Sequence, residues 1–264
     1  MYDEMIDFNE HKFHVATAVR LLTESGFKIP EKSAVLDLGA GQGMHAGFLA
    51  ENFAKVYCAD IIDYSALYEG MFTKLIGEKY QRNGFQIDLQ KVAFIQSDAM
   101  NLIFRDDLFD CCVTFNAFEH IPNPQLALSE VIRTLKPSGY AFITFDPIWT
   151  CDTGSHFFHR VPEPWAHLVL SNEQFHNAMK SNGASVHEQI EFDSAMNRWR
   201  LSQFNSAFEA IRDSGVAEVI FEETYSAPAS EAHLGHPNFA LAIGMGYSKE
   251  ELLLRNMRWV IKKS

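Results

Sequence analysis

Short runs of apolar residues alternate with amphipathic stretches over the first half of the chain. The runs are almost continuously apolar, a pattern typical of strands that are buried on both faces of a sheet. They lie at residues 34–38, 55–59, 92–96, 109–115 and 140–145. Helix-like segments begin at Met44 and Pro124, between the runs, and strands that alternate with helices predict a parallel sheet covered on both faces.

Two other regions depart from this alternation. Between residues 11 and 25 the apolar positions recur at helical spacing and stop at Gly26, which predicts an amphipathic helix before the first strand. Residues 146–200 are rich in Pro, Trp and His and carry few strand signals, which indicates a cap inserted after the fifth strand. A helix at 201–214 and strands at 216–225 and 259–262 are then expected to complete the sheet.

We therefore expect one domain. It comprises an N-terminal helical cover (1–29), a core (30–145), the cap (146–200) and a segment that completes the sheet (201–264).

Charge and composition exclude several classes of partner. The 264 residues carry 22 Lys plus Arg against 34 Asp plus Glu, a net charge of −12, which repels phosphate backbones and anionic membrane surfaces. The start of the chain lacks the basic-then-apolar order of a signal peptide, and the four cysteines form no C-x-x-C pair. We expect a cytoplasmic protein with reduced thiols and no nucleic-acid or membrane partner. The oligomeric state stays open.

A strand that runs into three alternate glycines is the most informative segment. Residues 35–43 read V-L-D-L-G-A-G-Q-G, and glycine permits positive φ and a close approach of the backbone to a ligand. A plain strand-to-helix turn would use the same residues, so the segment alone is a weak signal. Met44 follows Gly43, so the dinucleotide motif G-x-G-x-x-G is not matched, which disfavours an NAD-dependent oxidoreductase.

Polar residues stand at the carboxyl ends of the following predicted strands, which a parallel sheet brings to one crevice. Asp60 ends the second strand and can accept hydrogen bonds from ribose hydroxyls. Asp98 and Ala99 follow the third strand, from where they can read an adenine edge. Asn116 ends the fourth strand. Each residue alone would pass for a helix cap or a turn, but their coincidence with the glycine turn predicts a nucleoside site.

The segments D-L-G-A-G-Q-G, S-D-A and F-D-C-C-V-T-F-N-A-F-E-H-I-P-N-P, with Asp60, resemble class I S-adenosylmethionine-dependent methyltransferases of small molecules, strongly so over residues 30–145. The resemblance implies an α/β, doubly wound, mostly parallel, seven-stranded Rossmann-like sheet, S-adenosyl-L-methionine as cofactor (S-adenosyl-L-homocysteine as product) and a small-molecule substrate. The cofactor-binding residues that it implies are Asp37, Gly39, Ala40, Gly41, Asp60, Ile61, Asp98, Ala99 and Asn116.

Histidines are the candidates for a general base. Methyl transfer is an in-line displacement that depends mainly on positioning, but a hydroxyl acceptor gains from proton removal near neutral pH. His11 and His14 lie three residues apart, hence on one helix face, and we predict His14 as the base and His11 as a substrate contact. A half-buried histidine without a catalytic task is the alternative. His120 is the second candidate base, with pocket lining as its more usual role.

The cap supplies the remaining predicted substrate contacts, since Arg offers a fork for carboxylate or phosphate and aromatic faces stack on rings. The alternative is a cap whose side chains simply pack on the sheet, with Arg160 paired to Glu163. A metal site on the cap histidines is not expected, because they lie in irregular chain and the transfer needs no Lewis acid. The predicted contacts are Trp149, His156, His159, Arg160 and His167.

The preferred expectation is O-methylation of a small polar or anionic metabolite, such as one bearing a sugar, phosphate or carboxylate. Methylation of a small amine and a non-catalytic module that binds S-adenosylmethionine stay open as alternatives. The acceptor, its reacting atom and its pathway are not set by the sequence.

Overall fold

The computed structural model describes residues 4–264, and one seven-stranded sheet forms its centre. The first three residues of the predicted helical cover lie outside the described residues. The strands are β1 (Ala34–Leu38), β2 (Lys55–Asp60), β3 (Val92–Gln96), β4 (Phe109–Phe115), β5 (Leu135–Phe145), β6 (Ala217–Ser226) and β7 (Leu254–Lys263).

The strand order is β3-β2-β1-β4-β5-β7-β6. The first five strands are parallel, and β7 runs antiparallel to both β5 and β6. The order reverses beside β1, between β1 and β4, so a crevice opens at the carboxyl ends of these strands. This architecture confirms the predicted doubly wound, mostly parallel fold with a cap inserted after the fifth strand.

Twelve helices surround the sheet in the described part of the chain. They are α1 (Glu4–Glu24), α2 (Ala46–Ala50), α3 (Tyr64–Leu67), α4 (Phe72–Arg82), α5 (Pro124–Thr134), α6 (Ala166–Val169), α7 (Asn172–Ser181), α8 (Val186–Ser194), α9 (Leu201–Ser214), α10 (Pro228–Ala232), α11 (Pro237–Gly244) and α12 (Lys249–Leu253). Within residues 4–264, none is both long and apolar enough to cross a bilayer.

Each face of the sheet carries its own apolar core, because successive residues of a buried strand point to opposite faces. Val35 belongs to the cluster under α1 and α2, whereas Leu36 belongs to the cluster under α5 and α9. Both residues are fully buried, as are all four cysteines, which are free. The continuous apolar runs in the sequence follow from burial on both faces.

Several element boundaries differ from the sequence prediction, among them the start of α1, which lies at Glu4 rather than at residue 11. The helix expected from Met44 begins only at Ala46, because a turn closed by the Gly43 amide and the Ala40 carbonyl comes first. Strand β5 begins at Leu135, since the backbone is already extended where α5 ends. Strand β7 begins at Leu254 because it pairs along its length with β5 and β6.

The cap is more helical than its composition predicted. Helices α7 and α8 each begin with a capping box, at Ser171 and Ser185, a local signal that the sequence carries. A third apolar cluster forms here around Trp165, Phe175 and Phe192. Residues 228–253, between β6 and β7, pack into the same cluster, so the cap layer takes in part of the segment that was assigned to the sheet alone.

Asp152 joins the two parts of the cap layer. Its buried carboxylate accepts hydrogen bonds from the Ser230 hydroxyl at 3.0 Å and from His233 Nδ1 at 2.8 Å. Removing one partner of a buried hydrogen bond leaves the other partner unsatisfied, which costs about 1–3 kcal/mol.

We therefore expect Asp152→Ala to lower the free energy of unfolding by about 1–3 kcal/mol in urea denaturation. The control is Asp193→Ala, which removes an exposed carboxylate 2.8 Å from His176 and should cost less than about 1 kcal/mol. Equal losses in the two variants would show that Asp152 does not join the layers.

Candidate functional site

The glycine turn after β1 is held by close packing. Gly39 and Gly43 have φ of +73° and +72°. A Cβ on Gly39 would collide with the Cβ of Ala117, and one on Gly43 would lie 2.5 Å from the Phe94 ring. These two glycines are therefore required by neighbouring side chains of the chain itself, which the sequence analysis did not foresee. A Cβ on Gly41 would meet nothing closer than 3.9 Å.

Strand β2 fixes the other side of this turn. The Asp60 carboxylate accepts the Gly41 amide at 2.8 Å and the Ile62 amide at 3.0 Å. The backbone amides of Gly39 and Ala40 both donate to the Ala59 carbonyl, at 2.8 and 3.1 Å. Asp60 thus orders two backbone segments, and because each carboxylate oxygen carries two acceptor sites, it keeps capacity for a ligand.

A cavity of about 300 Å³ lies at the carboxyl ends of these strands, and we call it the strand-end cavity. It brings together six of the predicted cofactor-binding residues, namely Gly39, Asp60, Ile61, Asp98, Ala99 and Asn116, together with His120. Ile62, Tyr64 and Met100 also lie in the wall of this cavity, and the sequence did not indicate them. In the sequence, Ile61 and Ile62 form an apolar pair directly after a strand end. In the structure, both side chains are exposed.

Three predicted cofactor residues lie outside this lining. Gly41 borders a small neighbouring cavity with Asp60 and Tyr64. Ala40 and Asp37 are buried beneath the turn. Their roles stay predictions.

Asp37 is a buried carboxyl that lacks a hydrogen-bond partner at one oxygen within residues 4–264. It is 1% exposed, and its Oδ2 has no hydrogen-bond partner in the described residues. Burial, and secondly the charge of Asp60, raise the pKa of Asp37 to about 7. A positively charged ligand group close to Asp37 would reduce this penalty, and Asp37 itself does not line the strand-end cavity.

A second, more open cavity of about 730 Å³ lies under α1, and we call it the α1 cavity. It is lined by Asn9, Phe13, His14, Asn116, Asp146 and Arg255, among others. A smaller cavity shares His14 and Asn116 with it and extends along the sheet to Thr144, Asn256 and Arg258. Asn116 also lines the strand-end cavity, and its φ of +50° marks a constrained backbone at this junction.

The two candidate bases lie on different walls. His14 lines the α1 cavity, and its pKa is lowered by burial and then by neighbouring His11, which favours the neutral imidazole. His120 lines the strand-end cavity, and its Nδ1 lies 2.7 Å from the Ala195 carbonyl, which makes Nδ1 the protonated nitrogen. The Nδ1 atom of His11 instead lies 2.9 Å from Nε2 of His45, which is buried. The sequence did not indicate this neighbour.

The cap residues that were predicted to bind substrate contact other residues of the cap. Arg160 pairs with Glu188 at 2.8 Å, not with Glu163, because Glu188 sits in the first turn of α8 opposite Arg160. His159 is exposed and also faces Glu188, while buried His167 bonds to the Trp149 carbonyl at 2.7 Å.

His156 packs edge-on against His120, with ring centroids 5.0 Å apart. None of the cap side chains Trp149, His156, His159, Arg160 and His167 lines the two cavities described above, so their substrate roles stay predictions.

Known protein families and sequences match part of the chain. Residues 36–143 match the family described as a methyltransferase domain. The chain is 30% identical over 131 residues to a demethylmenaquinone methyltransferase of Clavibacter sepedonicus, covering 50% of this chain and 46% of that protein. It is 31% identical over 114 residues to a fatty-acid O-methyltransferase of Mycolicibacterium smegmatis, covering 43% of this chain and 37% of that protein. The chain thus spans less than half the length of these curated relatives.

The similarity to a solved structure extends over nearly the whole chain. Geranyl diphosphate methyltransferase in complex with SAM superposes with a TM-score of 0.55 at 12% identity, covering 95% of this chain and 85% of that chain. At this identity the likeness concerns the fold.

The raised pKa of Asp37 predicts a pH dependence of stability. The folded chain keeps the Asp37 proton up to about pH 7, whereas the ordinary value is 3.8. Between these values the folded state binds more protons than the unfolded state, so stability falls as the pH rises through this window. Asp37→Asn cannot ionise, and we expect it to exceed the wild type at about pH 8 by up to about 4 kcal/mol, with the difference vanishing near about pH 4.

Urea denaturation across this pH range measures the difference. Asp88→Asn, at an exposed turn, is the control and should differ from the wild type by the same small amount at every pH. A pH-independent difference for Asp37→Asn would contradict the assignment.

Proposed function

We propose that the chain is a class I S-adenosylmethionine-dependent methyltransferase that transfers a methyl group to a small acceptor, because residues 36–143 match a methyltransferase domain and half of the chain is 30% identical to a methyltransferase. One observation carries the proposal: Asn116 lines both the strand-end cavity and the α1 cavity. A nucleoside cofactor in the first cavity and an acceptor in the second would meet at this residue. In-line displacement requires such adjacency, because the reacting atoms must approach to about 3 Å.

The residues of the strand-end cavity suit this cofactor. Asp60 accepts hydrogen bonds from the ribose hydroxyl groups, and Asp98 and Ala99 contact the adenine. The unpartnered oxygen of Asp37 matches a cofactor that carries a positive charge and an amino group. When bound, S-adenosylmethionine supplies an electrophilic methyl carbon on a sulfonium. The protein's part is to bind, orient and exclude water.

His14 takes the acceptor proton. It lines the α1 cavity together with Asn116, so an acceptor hydroxyl in this cavity lies between the imidazole and the junction with the strand-end cavity. Burial keeps His14 in its neutral form, which has a lone pair available for the proton. This arrangement favours an oxygen acceptor, since an uncharged amine needs no base of this kind.

The α1 cavity favours a polar or anionic acceptor. Arg255 contributes a guanidinium group to the α1 cavity and Arg258 contributes one to the smaller cavity beside it, and Asp146 and Glu223 hold them at 3.1 and 3.0 Å. Each guanidinium presents more donors than one carboxylate uses, so hydroxyl or carboxylate oxygens of a substrate can be bound as well. Asn9 and Thr144 add neutral polar groups to the two neighbouring cavities.

Isothermal titration calorimetry tests the cofactor before any acceptor is known. We expect the wild type to bind S-adenosylmethionine and S-adenosylhomocysteine but not NAD. Asp60→Asn should weaken binding about 10–100-fold, because a charge-assisted hydrogen bond to the ribose is lost. Asp88→Asn is the matched control and should bind as the wild type does. Binding of NAD alone, or affinity that does not depend on Asp60, would contradict the proposal.

A pH–rate profile tests the role of His14. With an acceptor found by screening hydroxylated, carboxylated and amine metabolites for methyl transfer, we expect kcat/KM to fall as the pH drops through the lowered pKa of His14, because the protonated imidazole cannot accept the acceptor proton. His14→Asn should abolish this acid limb and reduce kcat about 100- to 10,000-fold.

His187→Asn, on the exposed surface of α8, should leave rate and profile unchanged. An unchanged profile in His14→Asn would rule out His14 as the base, and turnover of amines alone would replace O-methylation by N-methylation.

A further inference from the structure

Glu119 is a buried acid that the proposed reaction does not use. It directly precedes His120, is 1% exposed, and neither carboxylate oxygen has a hydrogen-bond partner in the described residues. Burial raises the pKa of Glu119 well above its ordinary value, and the nearby backbone amides of Glu119 and Asp146 offset only part of that rise. A buried carboxyl whose oxygens make no well-formed hydrogen bond costs free energy, so a cation bound beside Glu119 would stabilise its charged form.

Two imidazoles face this carboxyl. One ligand atom each of Glu119, His120 and His156 lie within 4.8 Å of one another. His120 Nδ1 is hydrogen-bonded to the Ala195 carbonyl at 2.7 Å, and His156 Nε2 lies 3.4 Å from the Pro147 carbonyl. Each ring therefore directs one nitrogen to a carbonyl and retains the other as a lone-pair donor, the arrangement typical of metal-bound histidine.

We propose that Glu119, His120 and His156 form a binding site for one divalent transition-metal ion of the zinc type. Two imidazoles and one carboxylate make a known donor set for zinc, with a fourth position left for water. Burial lowers the pKa values of both histidines, so the rings are neutral and available as ligands near pH 7. Binding displaces the Glu119 proton to solvent, and the carboxylate then neutralises part of the ion's charge.

A second histidine cluster is the rival site. Ligand atoms of His11, His14 and His45 also lie within 4.8 Å of one another. There, however, His11 Nδ1 and His45 Nε2 satisfy each other at 2.9 Å, and His11 Nε2 pairs with Asp7 at 3.2 Å. That cluster contains no unpartnered buried carboxylate, whereas the Glu119 site does.

The proposed ion would fasten the cap to the cofactor half of the chain. Glu119 and His120 follow β4, His120 lines the strand-end cavity, and His156 belongs to the cap. Such a site differs from the one considered on the histidines of the cap alone, because only His156 is common to both. The proposal concerns metal binding and the order of the cap, and it does not depend on methyl transfer.

Metal content and cobalt spectroscopy of the full chain test the site. After treatment with a chelator, incubation with Zn²⁺ and dialysis, we expect one Zn²⁺ per wild-type chain by elemental analysis. Co²⁺ should give ligand-field absorption bands and be displaced by Zn²⁺. Glu119→Gln and His156→Asn should each lower the Zn²⁺ affinity by about 100-fold or more, since even outer-shell changes cost about 10–100-fold.

Glu119→Gln is expected to fold, because glutamine has the shape of the neutral carboxylic acid that the apo protein holds. In the wild type, Zn²⁺ should raise Tm, and in folded Glu119→Gln it should not. His45→Asn tests the rival cluster, and His187→Asn is a neutral control on the cap surface. Both controls should retain the ion. Absence of stoichiometric Zn²⁺ in the wild type, or loss of Zn²⁺ in His45→Asn with retention in Glu119→Gln, overturns the proposal.

Discussion

The close contact between the glycine turn after β1 and the segment after β4 determines the site. Gly39 lies so near Ala117 that no side chain fits between them, and Asp60 ties Gly41 to the end of β2. Three strand ends are thereby held in fixed register around the strand-end cavity. Backbone hydrogen bonds and steric contact, both short-ranged, do this without the ligand. The positions of Asp98 and Asn116 follow from the same parallel register.

Asn116 connects the strand-end cavity to the cavity under α1. The parallel sheet ends at β5, and antiparallel β7 then brings Asn256 and Arg258 next to Thr144. Helix α1 covers these residues and leaves the α1 cavity beside the strand-end cavity. The proposed cofactor half therefore depends on local turn chemistry, whereas the proposed acceptor half is assembled from α1, β5 and β7, which are far apart in the chain. Such a division allows the acceptor site to change while the turn is retained.

This division also explains what the sequence could predict. Buried parallel strands leave continuous apolar runs, so the bounds of β1, β3 and β4 were predictable, and so were the strand-end positions of Asp60 and Asp98. Arg255 and Arg258 were not, because only the antiparallel pairing of β7 brings them to the α1 cavity and to the smaller cavity beside it. Arg160 was predicted to bind a ligand or to pair with Glu163. In the structure the capping box of α8 positions Glu188, and Arg160 pairs with that residue. Long-range partners of charged side chains leave no periodic signal in a sequence.

Asp37 and Glu119 share a feature that packing does not explain. Both are about 1% exposed, and each has a carboxylate oxygen without a partner in the described residues. Leaving a buried polar group unpaired costs about 1–3 kcal/mol, a large fraction of typical stability. Apolar residues at these positions would remove that cost in the ligand-free chain. Asp37 lies in β1 two residues before Gly39, and Glu119 directly precedes His120, and both Gly39 and His120 line the strand-end cavity. The burial of the two acids is therefore consistent with positive charge that arrives with ligands, at Asp37 from the cofactor and at Glu119 from the proposed metal ion.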